Sequence, residues 1–75
     1  MDYRLYIESD ANLMLGKPVI KGTRLTVELI LQRLSEGVTT EQLQAAYPGL
    51  TSESLLAVFA YASDMVANEN ILAVA

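Results

Sequence analysis

The chain has 75 residues, of which 52% are apolar and 19% charged, with a net charge of −4. That is room for one domain, and the composition is too apolar for a disordered chain. It contains no cysteine and no histidine, which removes disulfides, thiolate nucleophiles, Cys/His zinc sites and imidazole-based triads. A domain this short buries only about 60% of the surface its unfolded chain exposes. Without a disulfide or metal, such a domain often completes its core with a second molecule. The composition weighs against enzyme chemistry and toward an interaction module, with no cofactor, metal or small-molecule substrate expected.

The charges are unevenly placed. Residues 1–37 hold all five basic residues (Arg4, Lys17, Lys21, Arg24 and Arg33) and five acids, whereas residues 38–75 hold four acids and no base. The stretch Leu13–Val27 carries Lys17, Lys21 and Arg24 without an acid, which suits a phosphate or an acidic protein surface. The longest apolar run, Leu55–Ala62, has eight residues, against the roughly twenty a membrane span needs. The first ten residues mix Arg4 with Asp2, Glu8 and Asp10 and do not read as a signal peptide. The expected location is the cytoplasm, away from membranes.

In chain order, Tyr3–Glu8 reads as a short strand from its β-formers Tyr3, Tyr6 and Ile7. Asp10-Ala11-Asn12 is a turn. Pro18 keeps Lys17 out of the helical region and opens a second extended piece. Val19-Ile20 and Thr23–Thr26 flank Lys21-Gly22, a tight bend with Gly22 at positive φ. The first helix is expected over Val27–Glu36, capped by Thr26, with Glu28 in its first turn and Gly37 as its stop. Val27, Ile30, Leu31 and Leu34 make its apolar face. The second is expected over Thr40–Tyr47, with Thr39 and Gln42 at capping-box spacing, Leu43, Ala46, Tyr47 and Leu50 on its face, and Pro48-Gly49 as its end.

The third helix begins after the cap Thr51 and extends to Asn68 or beyond. It carries two stripes: Leu55, Phe59, Ala62 and Val66, then Leu56, Ala60, Ser63 and Ala67. A surface helix of a monomer needs only the first. The second stripe is the candidate dimer or partner interface, and the apolar tail Ile71–Ala75 is either frayed or part of the same surface.

Other motifs are weak. Gly16-Lys17 lacks the earlier Gly and the following Ser/Thr of a phosphate loop; Ala11 and Pro18 stand there instead. Three helices with a four-residue break before the longest resemble a helix-turn-helix. Its reading head, Ser52-Glu53-Ser54-Leu55, holds no Lys, Arg, Asn or Gln, the side chains that read bases. DNA binding is therefore expected to be weak and to rest on Lys17, Lys21 and Arg24. Arg24 is also four residues from Glu28, which suggests an i,i+4 pair.

The segment Gly16-Lys17-Pro18-Val19-Ile20-Lys21-Gly22-Thr23-Arg24-Leu25 resembles the signature of the bacterial domain-of-unknown-function family 433. The likeness continues through Leu34-Ser35-Glu36-Gly37, Tyr47-Pro48-Gly49-Leu50-Thr51 and Ala60-Tyr61-Ala62, covering roughly Leu5 to Val66. Ala11 or Asn12 stands where the family usually has a proline. The resemblance implies a mainly α fold: a tri-helical, homeodomain-like unit preceded by short β-segments. Many relatives are described as VapB-type antitoxins beside a PIN-like ribonuclease toxin. Such nucleases hold metal with clustered acids, which an antitoxin arginine such as Arg24 is suited to cap.

The whole reading is one domain over residues 1–75, with β-segments in 1–26 and a helical part in 27–75. Its expected role is that of a homodimeric, non-catalytic antitoxin. The alternatives are a DNA-binding regulator or a dimerisation module without a toxin.

Overall fold

The computed structural model describes residues 1–68. The chain runs through a 3₁₀ turn (Tyr3–Leu5), β1 (Ile7–Glu8), a second 3₁₀ turn (Met14–Gly16), β2 (Val19–Ile20), α1 (Val27–Ser35), α2 (Thr40–Ala46) and α3 (Ser52–Asn68). It is a mainly helical unit of three helices with a two-stranded antiparallel sheet, the expected architecture.

The helix ends follow the local chemistry of the sequence. Thr26 Oγ1 accepts the Leu29 N–H at 3.0 Å, and Thr39 and Gln42 form the reciprocal capping box at 2.9 and 3.1 Å. Thr51 Oγ1 accepts the Ser54 N–H at 3.0 Å. Each bond satisfies a helix-start N–H that has no partner within the helix. Gly37, at φ +93°, ends α1 in the left-handed conformation that a Cβ disfavours.

The sheet is small but bonded on both sides of β2. Ile7 stands opposite Ile20 and Glu8 opposite Val19. On its other edge β2 folds back on itself: Ile20 N–H donates to Leu25 O at 2.9 Å, and Val19 bridges Thr26. Between these lies the expected bend, with Gly22 at φ +77°. Thr23 fastens it, donating its hydroxyl to Ile20 O at 2.8 Å and accepting the Leu25 N–H at 3.0 Å. A two-stranded ribbon of this length has little stability alone. Here Ile7 and Ile20 pack into one core with Val27 and Ile30 of α1, Leu43 of α2, Leu50 of the following turn, and Leu55, Ala57 and Val58 of α3.

Three expectations change. Tyr3–Glu8 is strand only at Ile7–Glu8. Asp2 Oδ1 accepts the Arg4 N–H at 3.1 Å and caps a 3₁₀ turn, so local side-chain bonding overrides the β-propensity of the tyrosines. Ala46 is exposed and leaves the face of α2 to Leu43, Tyr47 and Leu50. The inner side of α3 is Ser54, Leu55, Ala57 and Val58, with Tyr61 half-buried. Of the stripe expected to fill the core, Phe59 is 45% and Val66 64% exposed. The expectation for the tail Ile71–Ala75 lies outside the described residues.

Candidate functional site

Two surfaces carry the expected site residues. The first is the basic segment around β2. Lys17 lies at one end of the strand and Lys21 and Arg24 at the other, so Lys17 and Lys21 are on the order of 13 Å apart along extended backbone. The three cations do not converge. Lys17 Nζ meets Glu28 Oε1 at 2.7 Å, an ion pair that ties the loop before β2 to the first turn of α1. Glu28 is therefore the partner of Lys17, and Arg24 forms no ion pair among the described residues. The i,i+4 expectation fails because Arg24 precedes the cap Thr26 and stands on extended chain, where helical spacing does not apply. Lys21 and Arg24 are exposed on either side of the Gly22-Thr23 bend, whose backbone is held by the Thr23 hydroxyl and by the Lys21 N–H on Tyr6 O at 2.9 Å. They make a two-cation turn on a rigid mount.

The second surface is the outward side of α3. Leu56, 59% exposed, Ala60, Ser63 and Ala67 follow one another along it. Ala60, Ser63 and Ala67 form one wall of an open groove of about 820 Å³ whose other wall is Met1–Arg4. Phe59 and Val66 of the first expected stripe border this surface, whereas Leu55 of that stripe is buried in the core and Ala62 is half-buried. The N-terminal turn covers part of the surface along its Ala60–Ala67 edge, and Leu56, Phe59 and Val66 stay exposed.

The groove is held in shape by contacts far apart in sequence. The Tyr3 ring packs edge-on against Tyr61, with centroids 5.3 Å apart and planes at 85°, a favoured aromatic geometry. Tyr3 Oη donates to Asp64 Oδ2 at 2.5 Å, and Asn68 Nδ2 donates to Asp64 Oδ1 at 3.2 Å. Arg4 closes the opposite side, donating from Nε to Asp2 Oδ1 at 3.0 Å, which with its backbone N–H holds the Asp2 carboxyl below its usual value. Sequence reasoning missed Tyr3 and Asp64, because 61 positions separate them and neither lies in a motif.

The hydrogen bond to Asp64, with desolvation adding to it, raises the Tyr3 hydroxyl above the ordinary tyrosine value of 10.0. A raised folded value means the contact stabilises the fold below pH 10 and is lost as pH climbs through that folded value. An ultraviolet absorbance titration is expected to show a phenol ionising late, and Tyr3→Phe to delete that step. Loss of an ordinary step in Tyr3→Phe, with the late one retained, would rule the contact out in solution.

No group of three or more Asp or Glu side chains able to hold a metal ion occurs among the described residues. No helix there is long and apolar enough to cross a membrane. At the start of α3, Ser52 and Glu53 are exposed, and Ser52 Oγ accepts from Gln44 Nε2 of α2 at 3.3 Å.

Fold and surfaces together define a small, mainly helical domain whose unusual features are the exposed apolar side chains Leu56, Phe59 and Val66 on α3 and a cationic turn. Residues 7–62 match the family model described as Protein of unknown function (DUF433). The match spans about three quarters of the chain, and the protein belongs to that family. No curated protein and no solved structure gives a significant match.

Proposed function

We propose that this protein is an antitoxin-like interaction module that binds and neutralises a PIN-like ribonuclease toxin in the cytoplasm, acting as a homodimer without catalysis of its own. The observation that carries this reading is the apolar outer face of α3. A soluble monomer rarely leaves such an apolar surface in water unless something covers it. Along that face Ala60, Ser63 and Ala67 are small enough to let two helices approach closely, and the dimer partner we assign to it is a second copy. The toxin then falls to the opposite feature, the cationic turn. Arg24 is held where a guanidinium fork can take a carboxylate in two parallel bonds, and the metal-binding acids of a PIN-like nuclease are such a target.

The test is co-expression with the product of the downstream gene, followed by affinity capture and titration. Arg24→Lys keeps the charge but loses the fork. Because Arg24 is exposed and unpaired within its own described chain, the melting temperature should hold while toxin affinity falls by about 1 kcal/mol or more, roughly fivefold. Unaltered affinity with a lower melting temperature would assign Arg24 to the fold. A gel shift on the upstream DNA separates the regulator reading. With Lys17 engaged by Glu28, two phosphate contacts remain, so log K against log salt should be no steeper than about −2 per subunit. A slope near −8 would favour the regulator.

A further inference from the structure

The loop leading into β2 holds three consecutive residues in the left-handed region: Met14, Leu15 and Gly16, with φ of 51°, 59° and 80°. For methionine and leucine this conformation is strained, and it persists only where the surroundings over-determine it. They do so here. Leu13 N–H donates to Asp10 O at 2.9 Å, Gly16 N–H to Leu13 O at 3.0 Å and Lys17 N–H to Met14 O at 3.1 Å. The Lys17–Glu28 pair fastens the loop to α1. What this turn holds out is Leu15, 94% exposed, more than any other large apolar residue of the described chain. A strained, well-bonded turn that presents a leucine to water is pre-organised as an anchor.

The neighbouring surface supplies a receptacle. Glu28 and Gln32, one turn apart, form the outer ridge of α1. On one flank the ridge borders the Leu15 loop and Leu29. On the other flank the same two residues border a cleft of about 660 Å³ lined by Pro18, Val27, Leu31 and Tyr61. A knob and an apolar cleft on opposite flanks of one ridge are self-complementary. A two-fold axis through the ridge lays the Leu15 of each copy over the cleft of the other, which is the geometry of an isologous interface. Glu28 lies on the ridge itself and is neutralised by Lys17 of its own copy at 2.7 Å, so no unpaired charge opposes the contact and the apolar knob and cleft carry it. Gln32, beside the axis, can donate to and accept from its own copy.

We propose that the α1 face is a self-association surface in which Leu15 of each copy enters the Pro18–Val27–Leu31–Tyr61 cleft of a second copy. This goes beyond the proposed function and requires neither the toxin nor the α3 dimer. If both faces are used and their two-fold axes cross at right angles, the assembly is a tetramer. If only the α1 face is used, it is a dimer.

The chain has no cysteine, so a single introduced thiol reports on the axis. Under mild oxidation Gln32→Cys is expected to yield a disulfide-linked dimer, because a residue beside a two-fold axis meets its own copy within bridging distance. Adding Leu15→Asp should abolish the cross-link, and adding Leu56→Glu on the α3 face should leave it intact. In light scattering, Leu15→Asp and Leu56→Glu should each remove one doubling of mass and together give the 8.2 kDa chain. Leu15→Gly should raise the thermal midpoint by relieving the turn while still weakening association, a pairing of effects that a merely structural leucine would not give. Failure of Gln32→Cys to cross-link, or an unchanged mass in Leu15→Asp, overturns the proposal. So does loss of toxin capture in Leu15→Asp with self-association intact, which would assign the leucine to the toxin. Failure of Leu56→Glu to change the mass counts against the α3 dimer alone.

Discussion

Ile20→Ala is expected to lower the melting temperature by roughly 12–30 °C. Ile20 is 2% exposed, stands opposite Ile7 in the sheet, and reaches the core shared by all three helices. Truncating a buried isoleucine to alanine costs about 3–4 kcal/mol, the lost burial plus the cavity left behind. A chain of 75 residues has a total stability of about 4–11 kcal/mol. At about 4–8 °C per kcal/mol for a domain of this size, the shift follows. The adjoining backbone bonds, Ile20 N–H to Leu25 O and Lys21 N–H to Tyr6 O, both at 2.9 Å, leave little room for the strand to collapse into the gap. Thermal unfolding followed by circular dichroism checks it. Val66→Ala, on a side chain 64% exposed, serves as the comparison and should move the midpoint of the isolated chain by only a few degrees. Equal losses in the two variants would mean that α3 is turned the other way.

That comparison bears on what the sequence makes legible. Helix starts and stops were readable because their chemistry is local: Thr26, Thr39 and Thr51 each bond a backbone N–H three residues ahead, and Gly22 and Gly37 stand where φ is positive. The existence of α3 was equally plain, but not its rotation. A helix apolar on most sides has no periodicity strong enough to select one face. What selects Ser54, Ala57, Val58 and Tyr61 is packing against the N-terminal turn and β1, with the Tyr3–Asp64 bond spanning 61 positions. The basic segment was legible in composition and not in arrangement, because β2 separates Lys17 from Lys21 and Arg24 and a loop lysine claims the Glu28 that spacing offered to Arg24. Leu15 had no signal at all. Its exposure and left-handed backbone come from hydrogen bonds that only the folded loop makes.

Leu56→Glu is expected to break the α3 dimer while leaving the fold intact. The fold is safe because Leu56 is 59% exposed, and surface substitutions of that kind change stability by about 0.5 kcal/mol or less. The interface is not, because the stripe of Leu56, Ala60, Ser63 and Ala67 would face its own copy across a two-fold axis. If a dimer covers roughly 400–600 Å² on each subunit, the gross gain is on the order of 10 kcal/mol or more per subunit. Association costs about 4–15 kcal/mol once per dimer, and side-chain ordering and imperfect polar pairing subtract further from the gain of the two subunits. Each dimer acquires two glutamates at once, and stripping water from a carboxylate without a partner costs several kcal/mol per ion. A total penalty of only about 4 kcal/mol weakens the dimer close to a thousandfold. No base lies within residues 38–75 to rescue the charge, and Glu53 and Asp64 of α3 add to the repulsion. Ala60→Glu should act in the same direction, but Ala60 borders the groove against Met1–Arg4, so its effect combines loss of the dimer with displacement of the N-terminal turn. Light scattering at micromolar concentration, with circular dichroism of the same samples, separates the cases. A halved mass with an unchanged helical signal supports the α3 interface, and an unchanged mass in both variants moves the dimer away from it.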